Sequence, residues 1–229
     1  VGVIPHLGQN ALSFWTPSME KLVPELTIRS ARKEDLPALA EIFEEGFNRE
    51  LIAVLGRTPR RKLGEDLFSF LIDIPGEEAI VATVADKVVG YIIVSHNTSQ
   101  LFRKFFTGGY WLKWKFAWLR GEYGFRWVPL VRVLRDKLIF LRSKEKGIES
   151  ESRVLCIAVK KEFQGRGVGA SLIREGMEIL KNKGAAAVRL EVRTDNLPAR
   201  RLYQKSGFRE VGKMKISGGE LMIMERTIR

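Results

Sequence analysis

The chain has 229 residues, of which 45% are hydrophobic and 29% are charged, and this balance predicts a globular protein with a hydrophobic core rather than a disordered chain. Its net charge of +12 favours an acidic partner, such as a phosphate-rich ligand, a nucleic acid or an anionic membrane. A single cysteine excludes a disulfide framework and indicates a reducing, cytoplasmic location, and with only two histidines the chain lacks the ligands of a His/Cys zinc site.

The first residues predict neither an anchor nor a leader. No uncharged run approaches the ~20 residues that a membrane span needs, and the basic-then-apolar order of a signal peptide is missing. The chain begins at Val1, and Met19 lies just before the first organised segment. We therefore expect an N-terminal extension over residues 1–24, with 1–18 poorly packed or a start-site artefact. A single domain is expected over 25–229, interrupted by an insertion over 98–146.

Apolar periodicity predicts an α/β chain of the α+β type. A strand comes first, then two helices and a hairpin with its turn at Asp86-Lys87; after the insertion come strand, helix, strand, helix and two closing strands. The predicted strands cover 26–29, 79–85, 88–95, 153–159, 188–192, 211–216 and 221–228. The predicted helices cover about 36–47, 62–72, 172–180 and 197–206, and Gly184 is placed just after the third helix, where a left-handed residue is typical.

A glycine-rich turn separates the strand at 153–159 from the following helix. It comprises Gln164, Gly165, Arg166, Gly167, Val168, Gly169 and Ala170. Glycines let a backbone approach phosphates, and the free N–H groups at a helix start attract an anion. A plain tight turn is the alternative, but three glycines in five residues exceed what such a turn needs. The pattern therefore predicts a pyrophosphate site.

Two other phosphate motifs fit this turn less well. A Walker loop needs Gly-Lys-Ser/Thr, whereas Gly169 is followed by Ala170-Ser171. The spacing of Gly165, Gly167 and Ala170 matches a Rossmann fingerprint formally, with Glu191 at a tolerable distance. The chain after Glu191 is too short to complete a doubly wound domain, and the strands before the turn form a hairpin.

At this turn the sequence resembles the GNAT acetyltransferases, whose signature Gln/Arg-x-x-Gly-x-Gly/Ala fits Gln164, Gly167 and Gly169. A second signature follows, with Asn196, Ala199, Leu202, Tyr203, Gly207 and Phe208 at the family's spacing. The resemblance covers about 25–97 and 147–229. It implies a mixed, mostly antiparallel sheet flanked by helices, and acetyl-CoA as the acetyl donor. Lys161 departs from the proline of many members.

Within that family, the segment from Leu190 to Asn196 looks like the enzymes that acetylate ribosomal-protein N-termini. The resemblance implies Glu191 as general base and Tyr203 as general acid. The alternative for Glu191 is a surface ion pair with Arg189 or Arg193, which share its face of the strand. The alternative for Tyr203 is a packed helix tyrosine with its hydroxyl satisfied at the rim.

The family resemblance also implies roles around the cofactor arm. Backbone N–H groups of Ile157, Ala158 and Val159 are expected to hold the oxyanion and to pair with the pantetheine arm, and Asn196 to bind that arm or to cap the helix. Cys156 has apolar neighbours and is interpreted as a buried small hydrophobe. A direct ternary transfer to a primary amine is therefore favoured over a ping-pong cysteine mechanism.

The insertion at 98–146 is basic and aromatic. It holds 12 of the 22 aromatic residues and carries a net charge of +9. Trp111, Trp114 and Trp118 lie on one face of a predicted helix, and a second amphipathic stretch covers 128–142. Three interpretations stay open: a helical lid, an interfacial segment on an anionic membrane, and, less favoured, a nucleic-acid surface.

Two functions of different classes follow from the sequence. The first is an N-acetyltransferase acting on a primary amine, with a peptide or protein N-terminus as the first candidate. The second is a non-catalytic acyl-CoA-binding module that docks to membrane or RNA through the insertion. Acetyl-CoA and an amine acceptor are the expected partners of the enzyme, and a homodimer is a further candidate assembly.

Overall fold

The computed structural model of the protein describes residues 26–74, 77–124, 152–216 and 219–228. Among them, the strands are β1 (Thr27–Ser30), β2 (Glu77–Val84), β3 (Lys87–Ser95), β4 (Arg153–Val159), β5 (Ala187–Arg193), β6 (Arg209–Ile216) and β7 (Gly219–Thr227). The α-helices are α1 (Leu36–Leu55), α2 (Arg61–Asp73), α3 (Thr98–Thr107), α4 (Tyr110–Leu119), α5 (Val168–Asn182) and α6 (Leu197–Lys205). The predicted element types and their order are confirmed.

The seven strands form one sheet in the order β1-β2-β3-β4-β5-β7-β6. All neighbouring strands are antiparallel except β4 and β5, which are parallel. The β2–β3 hairpin turns at Ala85 and Asp86, whose φ values of 46° and 60° are those that tight two-residue hairpin turns require. The predicted turn at Asp86-Lys87 is wrong by one residue, because Lys87 already pairs with Val84.

Strand β4 is irregular on both of its edges. Towards β3, Ile93 pairs with Cys156 and Val94 with Val154, so Leu155 is an extra, bulged residue. Towards β5, the two strands share one paired position, Arg153 with Arg189. The bulge bends β4, and the parallel strands diverge after their single pair. The middle of the sheet is therefore open on one side of β4.

Two hydrophobic cores cover the faces of this sheet. Helices α5 and α6 pack on one face, where Leu172, Leu180 and Leu190 are fully buried. Helices α1 and α2 pack on the other face around Phe68 and Tyr91, whose rings meet edge to face at 5.0 Å. The amphipathic spacing of the four helices produces this arrangement, since each helix turns one apolar stripe to the sheet. A mixed sheet with helices on both faces agrees with the predicted fold class.

The described part of the insertion forms α3 and α4, so its helical prediction is confirmed over 98–119. The predicted extension at 1–24 and the predicted amphipathic stretch at 128–142 lie outside the described residues. In the part of the chain that the structure describes, no helix is both long enough and apolar enough to cross a bilayer.

Candidate active site

A cleft of about 530 Å³ lies where β4 and β5 diverge. Its walls come from β4, the glycine-rich turn, the first turn of α5, helix α6 and one residue of α1. The predicted site residues that line it are Ile157, Ala158, Val159, Gln164, Gly165, Gly167, Gly169, Ala170, Asn196 and Tyr203. Arg166, Val168 and Glu191 are not among the lining residues.

The open edge of β4 presents backbone donors to this cleft. Lys160 donates its N–H to the carbonyl of Val89 on β3, at 2.9 Å. Because backbone groups alternate between the two edges of a strand, the N–H groups of Ile157 and Val159 point to the opposite edge, where the cleft lies. These donors suit an extended, amide-bearing ligand that adds itself to the sheet.

The glycine-rich turn has a backbone that other residues rarely adopt. Gly165 and Gly167 have φ values of 73° and 84°, and a Cβ added at either would meet no atom within 4 Å. Gly167 caps α5, so the N–H groups of Val168, Gly169 and Ala170 have no partner within the helix. The turn combines open space with free donors and the positive end of a helix dipole, which is the chemistry of an anion site.

Three side chains of the predicted phosphate turn serve other purposes in the structure. Gln164 donates from Nε2 to the carbonyl of Val159 at 2.9 Å and so fastens the turn to the end of β4. The Arg166 guanidinium stands 5.7 Å from the ring centroid of Phe163. The Val168 side chain is buried in the core, so this residue can face the cleft only through its backbone. The sequence did not predict these side-chain placements.

Tyr203 is a buried phenol in the wall of the cleft. Its ring packs edge to face with Phe208 at 6.1 Å, and 6% of the residue is exposed. Burial, with a smaller contribution from the nearby Cys156, raises the pKa of Tyr203 above its ordinary value of 10. The hydroxyl therefore keeps its proton at neutral pH and is competent to donate it.

Cys156 lies on β4, near both Tyr91 and Tyr203. Burial raises the pKa of its thiol to about 12, and the nearby Tyr91 hydroxyl opposes that rise. At neutral pH the group is an un-ionised thiol, which is a poor nucleophile. The residue packs against the hydrophobic core as predicted, but it is only partly buried.

Glu191 is held in a cluster with two arginines of the same sheet face. Its Oε1 lies 2.9 Å from Nε of Arg189 and accepts a hydrogen bond from Nη1 of Arg153 at 3.1 Å. Arg189 is the pairing partner that the sequence offered as the alternative to catalysis. Arg193, the other predicted partner, instead binds Asp195 at 2.9 Å. Arg153 is distant in sequence, and the sequence did not predict it.

Asn196 acts as the cap of α6. Its Oδ1 accepts the backbone N–H of Ala199 at 3.2 Å, which satisfies one of the free donors at the start of that helix. Asn196 also lines the cleft. The capping alternative is thus observed.

Several lining residues were not predicted as site residues. They are Gly46, Pro198, Ala199, Arg201, Leu202 and Lys205. Five of them lie on α6 at helical spacing, so one face of that helix forms the wall. Arg201 and Lys205, one turn apart, add exposed cations to the cleft. The helical period of the second motif was the signal that would have indicated this face.

A second, apolar groove of about 320 Å³ lies between α1, α2 and α4. Its lining residues are Phe43, Phe47, Glu50, Leu51, Val54, Leu55, Leu63, Leu67 and Trp114. Glu50 is the charged residue among them, and its Oε1 is 3.6 Å from Nε of Arg193 at the end of β5. Gly46, one residue before Phe47, lines the cleft. Gly46 and Glu50 are one helical turn apart, so the two cavities touch neighbouring faces of α1.

Comparison with known proteins agrees with this architecture. The family model "Acetyltransferase (GNAT) family" matches residues 37–208, and the chain belongs to that family. Acetyl-CoA is the acetyl donor of the family. The chain is similar to the N-alpha-acetyltransferase RimI of Mycobacterium tuberculosis, with 39% identity over 80 residues, which are 33% of this chain and 49% of that protein. The chain spans about half the length of the curated relatives that it matches.

Solved structures share the fold at low sequence identity. The ribosomal-protein-S18-alanine N-acetyltransferase of Escherichia coli superimposes with a TM-score of 0.52 and 19% identity, covering 89% of this chain and 94% of that one. The yncA protein of Salmonella typhimurium, solved with its cofactor acetyl-CoA, gives a TM-score of 0.57 and 15% identity, covering 89% and 94%. These similarities confirm the predicted GNAT fold.

Proposed function

We propose that the protein transfers the acetyl group of acetyl-CoA to a primary amine, with the N-terminus of a peptide or protein as the first candidate acceptor. The observation that carries this proposal is the cleft where β4 and β5 diverge. It combines an unpaired strand edge, a helix N-terminus with free donors and a buried, protonated phenol. Acetyl-CoA has a matching group for each feature: its amide-bearing arm suits the strand edge, its pyrophosphate suits the helix N-terminus, and its thioester suits the phenol.

The cleft residues divide the work of binding acetyl-CoA. The backbone N–H groups of Ile157 and Val159 pair with the amide carbonyls of the arm or with the thioester oxygen. The N-terminus of α5, beginning at Gly167, holds the pyrophosphate, and the exposed cations Arg201 and Lys205 add charge at the cleft. The protonated, partly buried thiol of Cys156 does not favour an acyl-enzyme route. Direct attack of the amine in a ternary complex remains the proposed route.

Three proton transfers accompany the reaction: the acceptor nitrogen loses one proton before it attacks and a second as the amide forms, and the leaving sulfur gains one. The second nitrogen proton balances the one that the general acid gives up. Acetyl-CoA supplies the acetyl group as a thioester, and its sulfur needs a proton as it leaves. Tyr203 is the proposed donor, since its buried phenol lines the cleft. The ammonium of the acceptor must lose a proton before it attacks, and Glu191 is the proposed base, acting through water because it does not line the cleft. Arg153 and Arg189 fix the orientation of its carboxylate.

The surroundings of α1 support a peptide acceptor. Glu50 and Arg193 face each other between α1 and the end of β5, and the apolar groove, which Glu50 also lines, opens along the same helix. A carboxylate suits an approaching ammonium, and an apolar groove suits the side chain of an N-terminal residue. The relatives whose names are N-alpha-acetyltransferases support the same acceptor class.

Two glycines at opposite ends of α5 provide a matched test of the cofactor site. Gly167 and Gly184 both have positive φ, 84° and 81°, and an added Cβ meets no atom within 4 Å at either. Gly167→Val and Gly184→Val therefore introduce similar backbone strain. We expect calorimetry to show acetyl-CoA affinity lost for Gly167→Val and retained for Gly184→Val. Equal affinities of the two folded variants would exclude the turn as the binding site.

An acceptor screen with detection of released thiol tests the reaction. The panel contains peptides with a free N-terminus, the same peptides with a blocked N-terminus and a free lysine, polyamines, amino sugars and lipid-linked amines. Thiol release with the first class alone supports N-terminal transfer. Tight acetyl-CoA binding without release for any amine would instead support the non-catalytic binding module.

A further inference from the structure

Helix α4 of the insertion has an inward apolar face that packs on the protein. The rings of Tyr110 and Trp114 lie 4.8 and 6.0 Å from the ring of Phe70 on α2, centroid to centroid. Ala117 is buried together with Tyr123, and Trp118 packs against these two residues. Two of the three tryptophans that the sequence placed on one face therefore belong to this packed side, while Trp111 at its edge is 38% exposed. The lid interpretation, in which aromatic side chains of the insertion pack on the core, is therefore correct for Trp114 and Trp118.

A second apolar stripe runs along the opposite side of the same helix. Leu112, Phe116 and Leu119 are 41%, 53% and 60% exposed. Their spacing of four and three residues places them within an arc of about 60° around the helix axis. Neighbouring large apolar side chains of this exposure are unusual on the surface of a monomeric domain and mark an interaction site. The exposed stripe is therefore distinct from the tryptophan face.

Cations flank this stripe on both sides. Helical geometry places Lys115 on one side, and Lys113 and Arg120 on the other. The side chains of Lys113 and Arg120 are 57% and 72% exposed, and they form ion pairs of 3.5 Å with Asp66 and Glu122. The sequence from 98 to 119 contains no Asp or Glu. An apolar stripe with exposed cations on both sides is the pattern of a helix that lies in the interface of an anionic membrane.

We propose that α4 lies on the surface of an anionic lipid membrane, with Leu112, Phe116 and Leu119 inserted at the headgroup boundary and the flanking cations on lipid phosphates. Two of the three inserted side chains are aliphatic, and leucine cannot stack on a base as an RNA-binding platform requires. A second copy of the chain would bring like charges together. An anionic membrane satisfies both the apolar stripe and the cations.

The proposed contact leaves the acetyl-CoA cleft free, since no residue of α3 or α4 lines it. Membrane binding and acetyl transfer are therefore separable properties. A variant that loses the membrane contact should still bind acetyl-CoA, and a variant that loses acetyl-CoA should still bind the membrane. The inference does not depend on the proposed reaction.

The test is sedimentation of the full chain with vesicles of neutral phosphatidylcholine and with vesicles that also contain phosphatidylserine. The test variant carries Leu112→Ser, Phe116→Ser and Leu119→Ser. The matched control carries Ile52→Ser, Leu197→Ser and Val211→Ser, which remove three apolar side chains of comparable exposure, 40–51%, from other elements. A charge variant carries Lys115→Glu and Arg120→Glu.

We expect binding to the anionic vesicles, at most weak binding to neutral ones, and release as salt rises from about 50 to about 500 mM. The stripe variant and the charge variant should each lose about tenfold or more in vesicle affinity while the control keeps it, with unfolding temperature and acetyl-CoA affinity measured for all. The proposal is overturned if the wild type does not bind anionic vesicles or if the folded stripe variant binds as well as the control. Binding to RNA with no binding to vesicles also overturns it. If the stripe variant does not fold, the charge variant serves as the test. An unchanged affinity of the charge variant for anionic vesicles then overturns the proposal.

Discussion

The substitution Tyr203→Phe separates the chemistry of the cleft from its packing. It removes one hydroxyl and keeps the ring that packs against Phe208 and is 6% exposed. Loss of a positioned general acid lowers the rate by about 10²- to 10⁴-fold. We expect the lower limit, about 10²-fold in kcat or about 2.7 kcal/mol in the barrier, because the cleft is open and water can deliver the proton in place of the phenol. The affinity for acetyl-CoA should change little.

The pH dependence follows from the same burial. Because the pKa of Tyr203 lies above its ordinary value of 10, the phenol stays protonated across the neutral and mildly alkaline range. The wild-type rate should therefore show no alkaline decline caused by this group below about pH 10. Thiol release, followed from pH 6 to about 9.5 under saturating substrates, measures this profile.

Tyr91→Phe is the matched control for Tyr203→Phe. Tyr91 is also a buried tyrosine near Cys156, but it does not line the cleft. We expect its kcat to stay within about twofold of the wild type. Equal kcat values for Tyr203→Phe and the wild type, with chemistry shown to be rate-limiting, would refute the assignment of Tyr203. An equal fall in both variants would point to a packing effect instead.

Two further substitutions test the surroundings of the cleft, and a third tests the stability of the fold. Glu191→Gln should lose activity at neutral pH and recover part of it as pH approaches the pKa of the acceptor amine, measured by thiol release; a uniform loss at every pH contradicts its role as base. Cys156→Ser should keep the reaction, since its protonated thiol takes no part, and a trapped acyl-enzyme in the wild type would contradict this. Asp35→Asn removes the carboxylate that accepts two hydrogen bonds from Arg29 at 2.7 and 2.9 Å, and should lower the free energy of unfolding by about 2 kcal/mol at neutral pH in denaturant titrations. Because these bonds lower the pKa of Asp35, its contribution is present above the unfolded pKa and is lost as pH falls through the folded pKa, so wild type and variant should converge in acid.

The sequence predicts the elements well because their signals are local. Helical spacing, alternating strands and the glycine-rich turn each depend on residues within a short window, and all correspond to elements of the structure. The position of Gly184 just after α5, with a φ of 81°, is a further local prediction that is confirmed. The β2–β3 turn is off by one residue because turn signals do not fix strand register.

The site depends on contacts that no short window contains. The contact of Arg153 with Glu191 joins residues 38 apart in sequence, and it exists because β4 and β5 are neighbours in the sheet. The bulge at Leu155 and the single pair between β4 and β5 are likewise properties of the assembled sheet. Periodicity showed that the tryptophans of α4 share a face, but not which face the protein covers.

The single residue pair between β4 and β5 has a consequence for the stability of the whole chain. The strands β1–β4 and β5–β7 form two parts of the sheet that are paired at one position, between β4 and β5. Separation of β4 from β5 should therefore precede global unfolding. Amide hydrogen exchange at Ile157 and Val159 should be fast in the free protein and slow in the acetyl-CoA complex. A ligand that binds only the folded chain adds about 2.7 kcal/mol of stability at 100 times its dissociation constant. The supply of acetyl-CoA would thus govern how long the folded chain survives heat or proteolysis.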